Sequence, residues 1–348
     1  MENCLRTFQL AATFTGAIIG AGFATGREVM HFFGRFGGYG FAGAGLAILL
    51  FTLLGGGLYL FSQRLGARSY VDLLPHLGKG SLGKALDGWM LTMLLVSVGV
   101  MFAGGGTLLQ DRYGLPAWVG AVFMGGLSLL ILQRGATGLL SASGLLVPVM
   151  CLIPILLGLK VLVTPERHLA TTVIEDYGYP AHWWSAACIY VVYNLSLGAG
   201  VIAALGHTIR DGREALTAAM LGGGLLGAVL VAMLIGLLSY RTETLLLDLP
   251  LLAIMEDFGP WWSLAFTVLL WLAMLTTAVA NVHALACRLR KRLDSYRSGI
   301  VLCTLVGLLV GFVGFGELVT AAYPLFGYIG AVLLGVALVR KLFTRNLS

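Results

Sequence analysis

Charge is what this chain has least of. Only 11% of its 348 residues are Asp, Glu, Lys or Arg, against 58% hydrophobic residues, whereas a water-soluble domain carries roughly 25% charged residues. Too few polar groups are present to cover a surface facing water, and the mean hydropathy of +0.92 agrees. Cysteine is also scarce. Cys4, Cys151, Cys188, Cys287 and Cys303 stand far apart, with no CxxC or Cys/His cluster, which leaves no disulfide framework and no thiolate metal centre. An HExxH helix, a Gly-x-Ser-x-Gly elbow and a pair of intramembrane aspartates are all missing, so nothing points to an enzyme. The apolar runs lack the two-residue alternation of a membrane barrel. Ahead of the first run stands only Arg6, and no small-residue cleavage site closes it, so the run is expected to stay as a span rather than leave as a signal peptide.

What the chain has instead is a succession of apolar runs, at about residues 7–34, 39–62, 84–110, 115–132, 138–163, 183–209, 214–239, 260–287, 298–315 and 318–342. Each nears or exceeds the ~20 residues that a helix needs to cross a bilayer. The expected fold class is therefore an all-α integral membrane protein of ten transmembrane helices, forming a single domain over 1–348. With the N-terminus in the cytoplasm, 16 of the 22 basic residues fall on inner connections, and the positive-inside rule then places both termini there. The net charge of +6 is thus a topology signal. The block Arg288–Arg297 reads as an anchor facing the cytoplasm, and no nucleic-acid partner is expected. The connections 63–84, 164–182 and 241–259 have room for short interfacial helices. Trp183-Trp184 and Trp261-Trp262 stand at span starts, where aromatic belts form.

The 49 glycines lie inside these apolar runs. Two runs are interrupted near their middles, by Gly20-Ala21-Gly22-Phe23-Ala24-Thr25-Gly26 and by Asn194-Leu195-Ser196-Leu197-Gly198-Ala199-Gly200, and a shift of half the chain length carries Phe23 onto Leu197. Within hydrocarbon an unwound segment is tolerated only where it lines a cavity or is buried in protein. Paired Gly-interrupted spans in corresponding halves point to a solute site at the membrane midplane, where freed N–H groups meet an anion and freed carbonyls a cation. The bland alternative is that the glycines only let helices pack closely.

The Asn194–Gly200 run resembles the unwound sixth helix of neurotransmitter:sodium symporters of the LeuT type, in which a Ser-Leu-Gly-x-Gly run forms the break. The Gly20–Glu28 segment (GAGFATGRE) resembles the start of the YkvI-like group of bacterial membrane proteins. The resemblance implies a LeuT-type (APC superfamily) fold with a 5+5 inverted repeat (repeat one about 7–163, repeat two about 183–342), broken helices 1 and 6, and residence in the bacterial cytoplasmic membrane. It implies a secondary transporter of a small organic solute such as an amino acid or amine. The solute would be held by Gly20, Ala21, Gly22, Phe23, Gly104, Tyr190, Tyr193, Asn194, Ser196 and Gly198, with Tyr193 at the position of the family's aromatic lid.

Span eight adds Ala273-Met274-Leu275-Thr276-Thr277, in which a carbonyl and two hydroxyls share one helix face. The resemblance assigns this pattern, with the carbonyls of Gly16 and Ile19, to one sodium ion. The alternative is that both hydroxyls bond to their own helix's carbonyls. The family's other sodium site needs an Asn where Phe23 stands and another in span seven, which has none, so one Na+ is expected. The family's span-three Tyr is also missing; Met101-Phe102-Ala103-Gly104-Gly105-Gly106-Thr107 stands there and suggests open room.

Charges within spans are functional candidates by default. Arg27 and Glu28 follow the first break. Glu28 is read as a proton carrier, an amine contact, or the partner of Arg27 or Arg35. Glu317 at the outer start of span ten is read as Arg27's partner in an outer gate. Lys160 lies 22 residues into span five, about 33 Å at 1.5 Å per residue, so it is expected at the outer surface rather than at an ion site. His283, inward of Thr277 with Asn281, is either a proton group or a packing residue. Sodium-coupled transport is the first reading; proton coupling through Glu28 or His283, or a sensor without turnover, are the alternatives.

Overall fold

The structure is a computed structural model, and it describes residues 2–78, 80–134, 137–163, 180–240, 247–293 and 295–345. Among these no strand occurs. The helices are α1 (Glu2–Ile18), α2 (Ala21–Thr25), α3 (Arg27–Phe32), α4 (Gly38–Leu65), α5 (Leu74–Leu77), α6 (Ser81–Tyr113), α7 (Ala117–Arg134), α8 (Thr137–Leu162), α9 (Trp183–Ala204), α10 (Gly212–Leu238), α11 (Pro250–Glu256), α12 (Pro260–Leu293), α13 (Tyr296–Gly311), α14 (Phe315–Glu317) and α15 (Tyr323–Arg345). Seven of them, among the described residues, are long and apolar enough to cross a membrane. The protein is a multi-pass membrane protein. Expected spans one, five and nine are where the helices are segmented or the qualifying apolar stretch is shorter: span one is divided into α1, α2 and α3, span five has its apolar stretch at Pro148–Leu162, and span nine is Tyr296–Gly311. Of the three long connections, 63–84 holds α5 and a 3-10 turn at Tyr70–Asp72, and 241–259 holds α11. Most of the third, 164–179, lies outside the described residues.

The helices sort into two packed groups. One is α1, α4, α9 and α10; the other is α6, α7, α12 and α13. α8 lies against α10 and α12, and α15 against α9 and α6, so each spans the seam. Close approach within and between groups explains many glycines. A Cβ on Gly120 would stand 2.8 Å from the Gly106 backbone, and one on Gly158 would stand 2.8 Å from the Ala232 carbonyl. Only a missing side chain lets helices come this near, and dispersion contacts then replace the hydrophobic drive that lipid cannot supply. Large apolar side chains such as Phe123, Leu309 and Val332 point outward, as a lipid-facing surface requires.

Charge collects at the two ends of the bundle. At one end Arg6 pairs with Glu214 (3.2 Å) and Arg288 grips Asp87 with two nitrogens, Nε at 3.1 Å from Oδ1. At the other, Arg27 pairs with Asp248 (3.6 Å), Arg112 with Glu256 (3.6 Å), and Lys160 Nζ lies 3.6 Å over the Phe258 ring. Lys160 is exposed there, in keeping with its expected place at the end of its span. Trp184, Trp261 and Trp262 are exposed at helix starts.

Candidate functional site

The first span breaks twice. α1 stops at Ile18, and Gly20 N–H turns back to the Ile18 carbonyl (2.9 Å) instead of continuing the ladder. The Gly16 carbonyl thereby loses its i+4 helical donor. The second break is Gly26, whose φ of 84° is left-handed, a conformation that costs a residue bearing a side chain roughly 1–2 kcal/mol. A Cβ there would also press on Leu237 (3.2 Å) and Pro250 (3.3 Å).

This turn folds α3 back so that the Glu28 carboxyl lies on Gly22 of α2. A Cβ on Gly22 would occupy the place of the Glu28 Oε1 atom. The Tyr193 hydroxyl, from α9, donates a hydrogen bond to Glu28 Oε2. Glu28 is 5% exposed, and Tyr190, Tyr193, Phe23 and Phe32 are buried to 1% or less. Aromatic rings pack around the Tyr193 that holds the carboxyl. Tyr193 is stacked on one side by Phe32 (5.5 Å, 26°) and on the other by Tyr323 of α15 (4.9 Å, 24°), and meets Tyr190 edge-on at 5.5 Å. No ion pair to Glu28 forms among the described residues. Tyr190's hydroxyl is buried near Asn194 without meeting hydrogen-bond geometry. On α6, Ser97 accepts a bond from Asn281 Nδ2 of α12 (3.0 Å). Through Tyr193 and the stacked Tyr323, Glu28 is linked to α15, which lies against both helix groups.

Several sequence expectations are corrected. The sixth span is not broken: α9 runs unbroken through Asn194–Gly200. Its polar residues are satisfied inside the helix, Asn194 Nδ2 by the Tyr190 carbonyl (3.1 Å) and Ser196 Oγ by the Val192 carbonyl (2.6 Å). Gly198 is a packing glycine, because a Cβ there would stand 3.3 Å from the Ala17 carbonyl. Gly104 does not open a space: Phe315 and Met274 would lie 2.9 and 3.0 Å from a Cβ there. Ile19 and Gly20 form the break, and Ala21, Gly22 and Phe23 lie within α2. The partner of Arg27 is Asp248, with a further bond to the Leu247 carbonyl (3.0 Å), and both residues sit in a connection whose register sequence could not place. Glu317 is exposed and folds over Gly314. Burial and the nearby Glu317 push the Asp248 carboxyl above its ordinary range, while Arg27 opposes them. Arg35 donates a hydrogen bond to the Pro180 carbonyl.

The sodium set is partly engaged with itself. Ala273 and Thr276 are buried, and the Thr276 hydroxyl donates to the Ala273 carbonyl at 3.0 Å, as the alternative reading had it for that residue. Thr277 and Gly16 are half-buried, and Ile19 is buried. His283 accepts or donates at Tyr296 Oη (2.6 Å), with Cys287 Sγ 3.6 Å from its other nitrogen. It lies at the end opposite Arg27 and Asp248 and is not part of the Glu28 cluster. Sequence reading passed over His31, Phe32 and Tyr323. His31 stands three residues after Glu28 and is 1% exposed; its spacing on one helix face was the available signal. Tyr323 is brought in by a π-helical turn at Leu318–Ala322, for which the residues carry no clear signature.

No family model matches the chain. Over 334 residues, 96% of this chain and 95% of the relative, it is 29% identical to the uncharacterized membrane protein YkvI of Bacillus subtilis (strain 168). Among solved structures it superposes on Mhp1, a nucleobase-cation-symport-1 family transporter in a closed conformation with bromovinylhydantoin bound. The TM-score is 0.64 at 17% identity, over 95% of this chain and 76% of that one. MhsT in complex with L-phenylalanine gives 0.63 at 17% identity, over 93% and 87%. The chain is a homologue of YkvI with the fold of LeuT-type transporters.

Proposed function

We propose that this protein is a secondary transporter that carries a small organic solute across the bacterial cytoplasmic membrane by alternating access, with ten spans, an inverted 5+5 repeat and both termini in the cytoplasm. The observation that carries this reading is the doubly broken first span. It sets a buried carboxyl, Glu28, between α2 and α9, whose Tyr193 stacks on Tyr323 of the seam helix α15. Breaks inside a span persist where a ligand replaces the lost bonds, and rocking of one group against the other would open this seam to alternate sides.

For coupling, one sodium ion held by Gly16, Ile19, Ala273, Thr276 and Thr277 remains the first reading. The Gly16 carbonyl has lost its helical donor, and a hard monovalent cation suits carbonyl and hydroxyl oxygens. Thr276 would turn from the Ala273 carbonyl to the ion. Sodium and solute are coupled if both bind one conformer more tightly than the other. A second reading, proton coupling through Glu28, is favoured by a specific observation: this carboxyl is buried without an ion pair among the described residues, and an uncompensated charge in hydrocarbon is costly. Uptake of a solute panel into proteoliposomes, driven separately by sodium and by pH gradients, tests both. No accumulation of any solute under either gradient would leave a sensor in place of a transporter.

A further inference from the structure

We infer that the solute is an organic cation, an ammonium group on an apolar body, and that Glu28 is its counter-charge. This rests on the transport site just described and narrows its substrate class. The argument starts with what already fills the seat at the break. The glycine surface of α2 and the Tyr193 hydroxyl could receive a solute's carboxylate, but both are taken by the chain's own carboxyl: Glu28 lies on Gly22 and accepts a hydrogen bond from Tyr193. A solute carboxylate brought there competes with the Glu28 carboxyl for the same donor and, when Glu28 is ionised, meets a like charge in a low dielectric. An ammonium group meets an acceptor that lacks a cationic partner among the described residues. Arg27, the adjoining residue, directs its guanidinium to Asp248 and Leu247.

The surroundings of the carboxyl make the same choice. Phe32, Tyr193 and Tyr323 stack in succession, and Tyr190 closes one edge. The negative faces of such rings attract ammonium ions, most strongly when water is excluded. In the present closed packing those faces cover one another. Moving α3 away from α9 and α15 by about the thickness of one ring exposes a face beside the carboxyl, so the opening that admits a solute also creates the cation site. The buried Tyr190 hydroxyl, without a hydrogen-bond partner, is available to a polar atom of the solute.

The test uses the full-length protein, purified in detergent, with thermal unfolding as readout. The probes are tetramethylammonium and phenethylammonium, with 2-phenylethanol as neutral isostere, 3-phenylpropionate as anion and L-phenylalanine as zwitterion. Both ammonium probes are expected to raise the Tm, and phenethylammonium to bind at least about tenfold tighter than the alcohol, a preference that E28Q abolishes and E28D keeps in weakened form. The inference is overturned if neither ammonium probe stabilises the wild type, if the propionate or phenylalanine binds as well as phenethylammonium, or if a folded E28Q keeps the preference. Should E28Q not fold, the wild-type panel and E28D decide. Proteoliposome uptake separates this inference from the transport reading. Ammonium binding without accumulation removes the transporter and keeps the cation site, and accumulation of phenylalanine without ammonium binding does the reverse.

Discussion

The first and sixth spans read almost alike in sequence, each a Gly-punctuated apolar run, yet one is broken twice and the other is an unbroken helix. The difference lies in what each glycine faces. In the first span Gly22 faces a carboxylate from its own chain, and Gly26 holds a backbone turn open only to residues that tolerate positive φ. In the sixth, Gly198 faces a neighbouring helix and Gly200 faces nothing within 4 Å, while Asn194 and Ser196 satisfy themselves on carbonyls one turn back. The first run breaks where its backbone turns, at Gly20 and Gly26, and the sixth stays helix where its side chains bond one turn back and its glycine only admits a neighbour.

The sharpest way to break this comparison is Gly22→Ala. The new methyl would displace the Glu28 carboxyl, and uptake should fall about 100-fold or more, as expected when a binding group shifts by ~1 Å; near-normal uptake would show that Glu28 does not act from Gly22. Next, Thr277→Ala should abolish the sodium stimulation of uptake while leaving the unfolding temperature nearly unchanged. A wild-type sodium response would remove Thr277 from the ion site. Tyr193→Phe leaves a buried carboxyl oxygen without its donor, at a cost of about 1–3 kcal/mol, measurable by denaturation in detergent. Gly198→Ala should cost roughly 1 kcal/mol through its contact with Ala17 and leave substrate affinity within about twofold, in the range of modest overpacking. The smallest effect belongs to Gly200→Ala, which should stabilise by roughly 0.5–1 kcal/mol as an ordinary Gly-to-Ala change inside a helix. Impaired uptake in that variant would mean that α9 does unwind at this point during the cycle.

Much of this was legible in advance. The scarcity of charge and the length of the apolar runs are properties of composition, and a bilayer turns them directly into spans. The first break was visible at Gly20–Gly26, and the membrane-embedded Glu28 stood out because such a charge is expensive. The place of Lys160 followed from counting residues along its helix. The sixth span misled because Asn, Ser and Gly promise an unwound segment and a packed helix equally well, and the choice depends on Tyr190, Val192 and Ala17 being in reach. The partner of Arg27 was missed for a similar reason: Asp248 sits in a connection, where periodicity says nothing of position.

The sequence by itself determined that the chain lives in a membrane as a bundle of helices with its first span interrupted, because these follow from local composition and the missing water. Only the tertiary structure decided which glycine breaks are real, that the Glu28 carboxyl rests on Gly22 and accepts a hydrogen bond from Tyr193, and that Phe32 and Tyr323 stack on Tyr193. Those contacts join residues up to 165 positions apart, as Glu28 and Tyr193 are, and the packing of whole helices rather than any local pattern brings them together.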